Sequence, residues 1–148
     1  AAKAAPGRQV VAVTGDGAFG FSAIEIDTAA RHKVPILIVV SNNGSWAIEV
    51  SDQMERFGKA VGTELQFADY AAMARAFGLQ AWRITGEAEI APCLDAAFSA
   101  LAAGHTVLID AITSPEARSS DSKTGLGWVP DLQALAAWDD AERAWLGI

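Results

Sequence analysis

The stretch QVVAVTGDGAFG, residues 9–20, decides how the rest of the chain is read. Gln9 to Thr14 is a short β-branched run ending at glycine, which predicts a buried strand. Beyond the glycines, apolar residues fall at Phe21, Ile24, Ala29 and Ala30 with Glu25 and Asp27 between them. That spacing predicts a helix over Phe19–Arg31, starting just after the Gly-rich turn. Val34 to Val40 is continuously apolar and β-branched, as expected of a strand covered on both faces. Working outward, Ser45 to Phe57 is a weaker helix, because Val50 and Ser51 interrupt it. Asp69 caps a helix over Tyr70–Phe77 that Gly78 stops. Leu79–Ile84 reads as a strand, Glu87–Ala103 as a helix ending at Gly104, and Thr106–Ile112 as a further strand. Apolar strands alternating with helices imply an α/β fold, a parallel sheet with helices on both faces. From Ser114 the character changes. Ser114–Gly127 is polar and turn-rich, and Trp128, Trp138 and Trp145 then punctuate a final helix from about Asp131. The chain thus divides into a domain over residues 1–113 and a tail over 114–148.

With 148 residues, 51% hydrophobic and 20% charged, the chain has the size and make-up of one soluble domain. Val34–Val40, its longest apolar run, is far too short to span a membrane, and no secretory signal pattern opens the sequence. The net charge of -7 argues against nucleic acid, which needs clustered Lys and Arg. It leaves an anionic small ligand open, because one bound cation inverts the local field. The single cysteine, Cys93, cannot make an internal disulfide and reads as a small buried residue, so a reducing, cytoplasmic compartment is expected. Ala1-Ala2-Lys3-Ala4-Ala5 reads as the tail of a helix already under way, and the chain as the C-terminal piece of something longer.

Gly15-Asp16-Gly17-Ala18-Phe19-Gly20 satisfies G-x-G-x-x-G between a strand and a helix, which fits a dinucleotide fold. Two observations oppose that reading. Asp16 places a carboxylate inside a loop meant for a pyrophosphate, and like charges repel there unless a cation lies between them. The next strand ends in Ser41-Asn42-Asn43, where a nicotinamide fold wants an acid for the ribose hydroxyls. One carboxylate, carbonyl oxygens and a diphosphate instead make a suitable magnesium shell. The backbone amides around Gly17 and the helix start then supply the anion cradle.

Gly15-Asp16-Gly17, 24 intervening residues and Asn42-Asn43 together resemble the cofactor signature of thiamine-diphosphate enzymes, with the order and spacing of the pyruvate decarboxylase and acetolactate synthase group. The resemblance runs through the chain as the pyrophosphate-binding domain of such an enzyme, normally the last of three. It implies thiamine diphosphate and Mg2+ as cofactors. Magnesium would be held by Asp16, the Asn43 side chain and the Ser45 backbone carbonyl. Gly15, Gly17 and Ala18 would cradle the diphosphate, and Trp46 and Ile48 would wall the pocket or pack into the core. Glu49, in an Ile-Glu step like that of the decarboxylases, would face the reacting carbon and move protons.

Ser45–Asp52, Val61-Gly62-Thr63-Glu64-Leu65 and Asp69-Tyr70 are similar to the 2-hydroxyacyl-CoA lyase and oxalyl-CoA decarboxylase branch. So are Ser119–Trp128, Pro130-Asp131 and Trp138-Asp139. Acetolactate synthases do not usually carry Ile-Glu after the Asn pair. This resemblance implies a carbon–carbon lyase that cleaves a 2-hydroxyacyl-CoA to formyl-CoA and an aldehyde or ketone, or runs the reverse acyloin condensation. Acetolactate synthase, a benzaldehyde-lyase-like carboligase, oxalyl-CoA decarboxylase and a non-catalytic diphosphate-binding module are the alternatives. The pyrimidine-binding and middle domains would lie outside this chain, on the same polypeptide or a partner subunit, so a homo-oligomer, dimer or tetramer, is expected. The tail would either fold over an acyl-CoA as an active-site cover or pack permanently on a neighbouring domain. His32 and His105 are boundary polar residues, Arg31 and Lys33 a solvated helix end, and Asp139, Asp140 and Glu142 an exposed helix face. No zinc-type Cys/His set and no nucleophile elbow occur.

Overall fold

The computed structural model describes residues 1–4, 7–117 and 144. In chain order the elements are β1 (Val11–Gly15), α1 (Asp16–Ser22), α2 (Glu25–Arg31), β2 (Leu37–Asn42), α3 (Ala47–Phe57), α4 (Tyr70–Ala76), β3 (Gln80–Ile84), α5 (Ile90–Ala102) and β4 (Val107–Ile112). The four strands form one parallel sheet in the order β1-β2-β4-β3. Parallel neighbours need crossovers, and helices supply them.

Side-chain alternation sorts the sheet into two apolar layers. On one face Val40, Ala81 and Leu108 pack with Phe19 of α1, Ile26 of α2, and Ala71 and Ala74 of α4. On the other, Leu37, Ile84, Val107 and Ile109 pack with Cys93, Ala97, Ala100 and Leu101 of α5. The expected parallel sheet with helices on both faces is therefore present, and Cys93 is buried in its core.

The elements differ from expectation in four places. The helix expected over Phe19–Arg31 begins three residues earlier, at Asp16, and is two short helices. Its break comes from a tightened turn: Ile26 N–H donates to the Ala23 carbonyl and Asp27 N–H to that of Ile24, both three residues back rather than four. Val50 and Ser51 do not interrupt α3, which runs unbroken through them with the Ser51 hydroxyl donating to the Ala47 carbonyl at 2.9 Å. Glu87–Glu89 forms a separate 3-10 turn before α5. β1, expected to be buried, is an edge strand with Val13 74% exposed. Its β-branched pattern fixes strand conformation, but on the α5 face the packed cluster takes in residues of β3, β4 and β2 and none of β1.

The final helix expected from about residue 131 lies outside the described residues, as does most of the tail. No described helix is long and apolar enough to cross a membrane.

Candidate functional site

The carboxyl ends of β1 and β2 bring the sequence-predicted residues together. Gly15 pairs with Ser41 as the last β1–β2 rung, so Asp16 after β1 and Asn42 at the end of β2 each follow one step beyond it. Asp16 is the first residue of α1 and is 2% exposed. No side chain caps that helix start, and among the described residues the Asp16 Oδ2 atom has no hydrogen-bond partner. A buried carboxylate oxygen without a donor is costly, and native structures rarely leave one so.

Beyond β2 the chain turns tightly. Asn43 Oδ1 accepts the Ser45 N–H at 3.0 Å, and Gly44 takes a left-handed φ of 63°. A short antiparallel bridge holds this turn against the segment that follows α3. Leu65 N–H donates to the Gly44 carbonyl at 2.7 Å, and Trp46 N–H donates to the Thr63 carbonyl at 2.9 Å. These bonds flank Ser45, whose carbonyl no described hydrogen bond takes up. Gly44 also has no room for a side chain, since a Cβ there would sit 2.9 Å from the Phe67 ring.

Gly17 faces Trp46. A Cβ at Gly17 would lie 2.8 Å from the indole, so only glycine lets Trp46 pack onto the first turn of α1. Trp46 also meets Phe21 at a ring separation of 5.4 Å. Glu49 stands in the first turn of α3, half-buried, and among the described residues no hydrogen bond or ion pair engages its carboxylate. Ile48 and Ala18 are exposed. Trp46 thus approaches the Gly17 turn directly, whereas Ile48 faces outward from the described residues.

Asn42 is fully buried and bonds inward, its amide donating to Asp110 Oδ1 at 2.9 Å and to the Ala68 carbonyl at 3.0 Å. Tyr70 closes the floor, edge-on to Phe19 at 5.2 Å. Its phenol is pushed above the usual tyrosine value, first by burial and then by the negative charges of Asp16 and Asp110. Asp110, Arg83, Thr63 and Phe67 are neighbours of the site that the motif did not reveal. The available sign for Asp110 was a lone acid inside the apolar strand VLIDAI.

The fold is an α/β domain whose Gly15 and Asn43 turns meet at the carboxyl edges of β1 and β2, the place where open parallel sheets bind ligands. The family model for the thiamine pyrophosphate enzyme, C-terminal TPP binding domain, matches residues 1–111, and the chain belongs to that family. It is 40% identical over 113 residues to a probable acetolactate synthase of Mycobacterium bovis, covering 76% of this chain and 20% of that protein. It is 41% identical over 75 residues to 2-hydroxyacyl-CoA lyase 2 of Mus musculus, covering 51% of this chain and 12% of the relative. Among solved structures it resembles the thiamine diphosphate-dependent 4-hydroxybenzoylformate decarboxylase of Rhodococcus jostii RHA1. That match has a TM-score of 0.66 and 27% identity over 76% of this chain and 21% of that one. The chain spans about a fifth or less of these relatives.

Proposed function

We propose that the chain is the diphosphate- and magnesium-binding part of a carbon–carbon lyase that cleaves a 2-hydroxyacyl-CoA to formyl-CoA and an aldehyde or ketone. The observation that carries the metal assignment is the unpartnered Oδ2 of buried Asp16 beside the Asn42-Asn43 turn. The donor chemistry fits magnesium. The described residues hold no group of three His, Cys, Asp or Glu able to bind a metal by themselves. One carboxylate with neutral oxygens suits an ion that completes its shell with ligand phosphates and water.

In this reading Asp16, the second lone pair of Asn43 Oδ1 and the Ser45 carbonyl hold the ion. The uncapped Gly17 and Ala18 amides face the diphosphate from the Gly15 turn. Bound thiamine diphosphate supplies the carbon nucleophile and electron sink for breaking the bond beside the thioester carbonyl. Glu49 moves protons to and from the substrate hydroxyl and the product carbon, a role open to a half-buried carboxylate with no competing partner. Trp46, packed on Gly17, helps keep water from the diphosphate end.

The pyrimidine end of the cofactor and the CoA moiety fall to the pyrimidine-binding and middle domains of the full enzyme, assembled as a dimer or tetramer. The 2-hydroxyacyl-CoA lyase relatives and the Ile48-Glu49 step support this substrate class. A second reading, acetolactate synthesis, is favoured by the 40% identity over 113 residues to the Mycobacterium bovis relative.

The deciding assay offers the full-length enzyme a 2-hydroxyacyl-CoA and, separately, pyruvate. The lyase reading expects formyl-CoA release and a fall of roughly 100-fold or more in kcat for Glu49→Ala, as for loss of an acid–base group. Acetolactate from pyruvate without formyl-CoA release would replace that reading with the second. Unchanged kcat in Glu49→Ala would remove Glu49 from the chemistry.

A further inference from the structure

Asp110 is a charged residue in an otherwise apolar central strand, and it is completely buried. Its Oδ1 accepts the Asn42 amide at 2.9 Å. Its Oδ2 accepts the Tyr70 N–H at 3.2 Å and lies 3.3 Å from Arg83 Nη1. Arg83 and Asp110 are direct partners across β3 and β4, and Val40 is the partner of Asp110 on β2. Asn42, two residues past Val40, therefore projects from the same face as Asp110.

The same guanidinium reaches further. Arg83 Nη1 donates to the Ala68 carbonyl at 3.1 Å and Nη2 to the Phe67 carbonyl at 3.3 Å. Phe67 is the residue whose ring packs on Gly44. The network thus holds the Asn43–Ser45 turn from two sides, through Asn42 on the strand leading into it and through Phe67 on its glycine. With Nδ2 fixed twice, the plane of the Asn42 amide is fixed, and with it the start of the turn that carries Asn43.

A buried ion pair is weak ground for stability, since apolar residues of similar volume often serve as well. What it does supply is direction, through several charge-assisted hydrogen bonds of defined geometry. We infer that Asp110, balanced by Arg83, is a positioning residue for the metal–diphosphate site, setting the Asn43–Ser45 turn through Asn42 and Phe67. The inference rests on the proposed assignment of Asn43 and Ser45 as magnesium ligands.

The test is a calorimetric magnesium titration of the full-length enzyme in a fixed excess of thiamine diphosphate, on wild type, Asp110→Asn, Arg83→Gln and Asp16→Asn. Asp110→Asn and Arg83→Gln are expected to weaken magnesium binding roughly 10- to 100-fold, the usual effect of losing a group that orients a ligand. A merely structural pair would lower the melting temperature and leave the affinity of the folded protein unchanged. Magnesium affinity within about twofold of wild type in the folded variants would overturn the inference, given the usual size of such effects. If Asp110→Asn does not fold, Arg83→Gln decides alone, because that side chain is 25% exposed and its loss leaves a smaller defect. Asp16→Asn separates the two claims. Loss of magnesium binding in Asp16→Asn alone sinks only the positioning role, whereas undisturbed binding in Asp16→Asn sinks the metal site itself.

Discussion

Asp16 combines burial with an unpartnered oxygen, a combination that costs the free protein stability and suits a bound cation. Asp16→Ala should therefore melt no lower than wild type without ligands. It should also lose the stabilisation that magnesium plus thiamine diphosphate gives wild type, about 2.7 kcal/mol at a hundredfold excess over Kd. Thermal melts with and without both ligands check this, and a large loss of stability in the free variant would mean that Asp16 is structural. Gly17→Ala places a methyl 2.8 Å from the Trp46 indole and is expected to cost about 1–3 kcal/mol by overpacking, measured by urea unfolding. That Asp16 and Gly17 would meet Asn42 and Asn43 was legible in the sequence, because both sets directly follow or end apolar runs that become neighbouring strands. Asp110 and Arg83 were not. Asp110 meets Asn42 across 68 positions and Tyr70 across 40, and only the assembled sheet brings them together.

Element types were largely legible, since glycines and apolar periodicity mark where strands and helices change over. Their ends were less so, because hydrogen bonds decide them. Glu89 is an example: its carboxylate accepts the Thr85 N–H at 2.7 Å, the Gly86 N–H at 3.0 Å and the Thr85 hydroxyl at 3.1 Å, tightening residues 87–89 ahead of α5. These bonds, those to Thr85 foremost, hold the Glu89 carboxyl below its ordinary value of 4.5. A lowered folded value means stability that is present above 4.5 and lost as pH falls through the folded value. A carboxyl NMR titration should place the Glu89 midpoint below 4.5, and Glu89→Gln should flatten that limb of the stability–pH curve. An unshifted midpoint would remove the cap. Cys93, on the core face of α5, has its thiol pushed up by burial and then by the Glu89 charge. It should resist alkylation at neutral pH until the protein unfolds.

At the scale of the molecule, the two faces of the sheet are unequal. One is covered by α1, α2 and α4, while the α5 face leaves Val11 and Val13 of β1 exposed. Phe21 and Ile48 are exposed as well. The β-branched, apolar pattern of residues 9–14 fits a strand that further domains of the proposed enzyme would cover. Val13→Asp should then destabilise the full-length enzyme by about 1.5–3 kcal/mol, the worth of burying a valine, measured by denaturant unfolding. An effect within about 0.5 kcal/mol, typical of a surface site, would leave the strand edge open to solvent in the whole enzyme too.

In the proposed function the Asp16 carboxylate sits at the Gly15 turn because a divalent cation joins it to the phosphates of the ligand. Calorimetric titration of the full-length enzyme with thiamine diphosphate, with magnesium and then with a chelator, tests it most directly. The predicted result is saturable binding that requires magnesium and is abolished by Asp16→Ala, with no binding of NAD. Binding of thiamine diphosphate equally tight in chelator, or binding of NAD in its place, would contradict it.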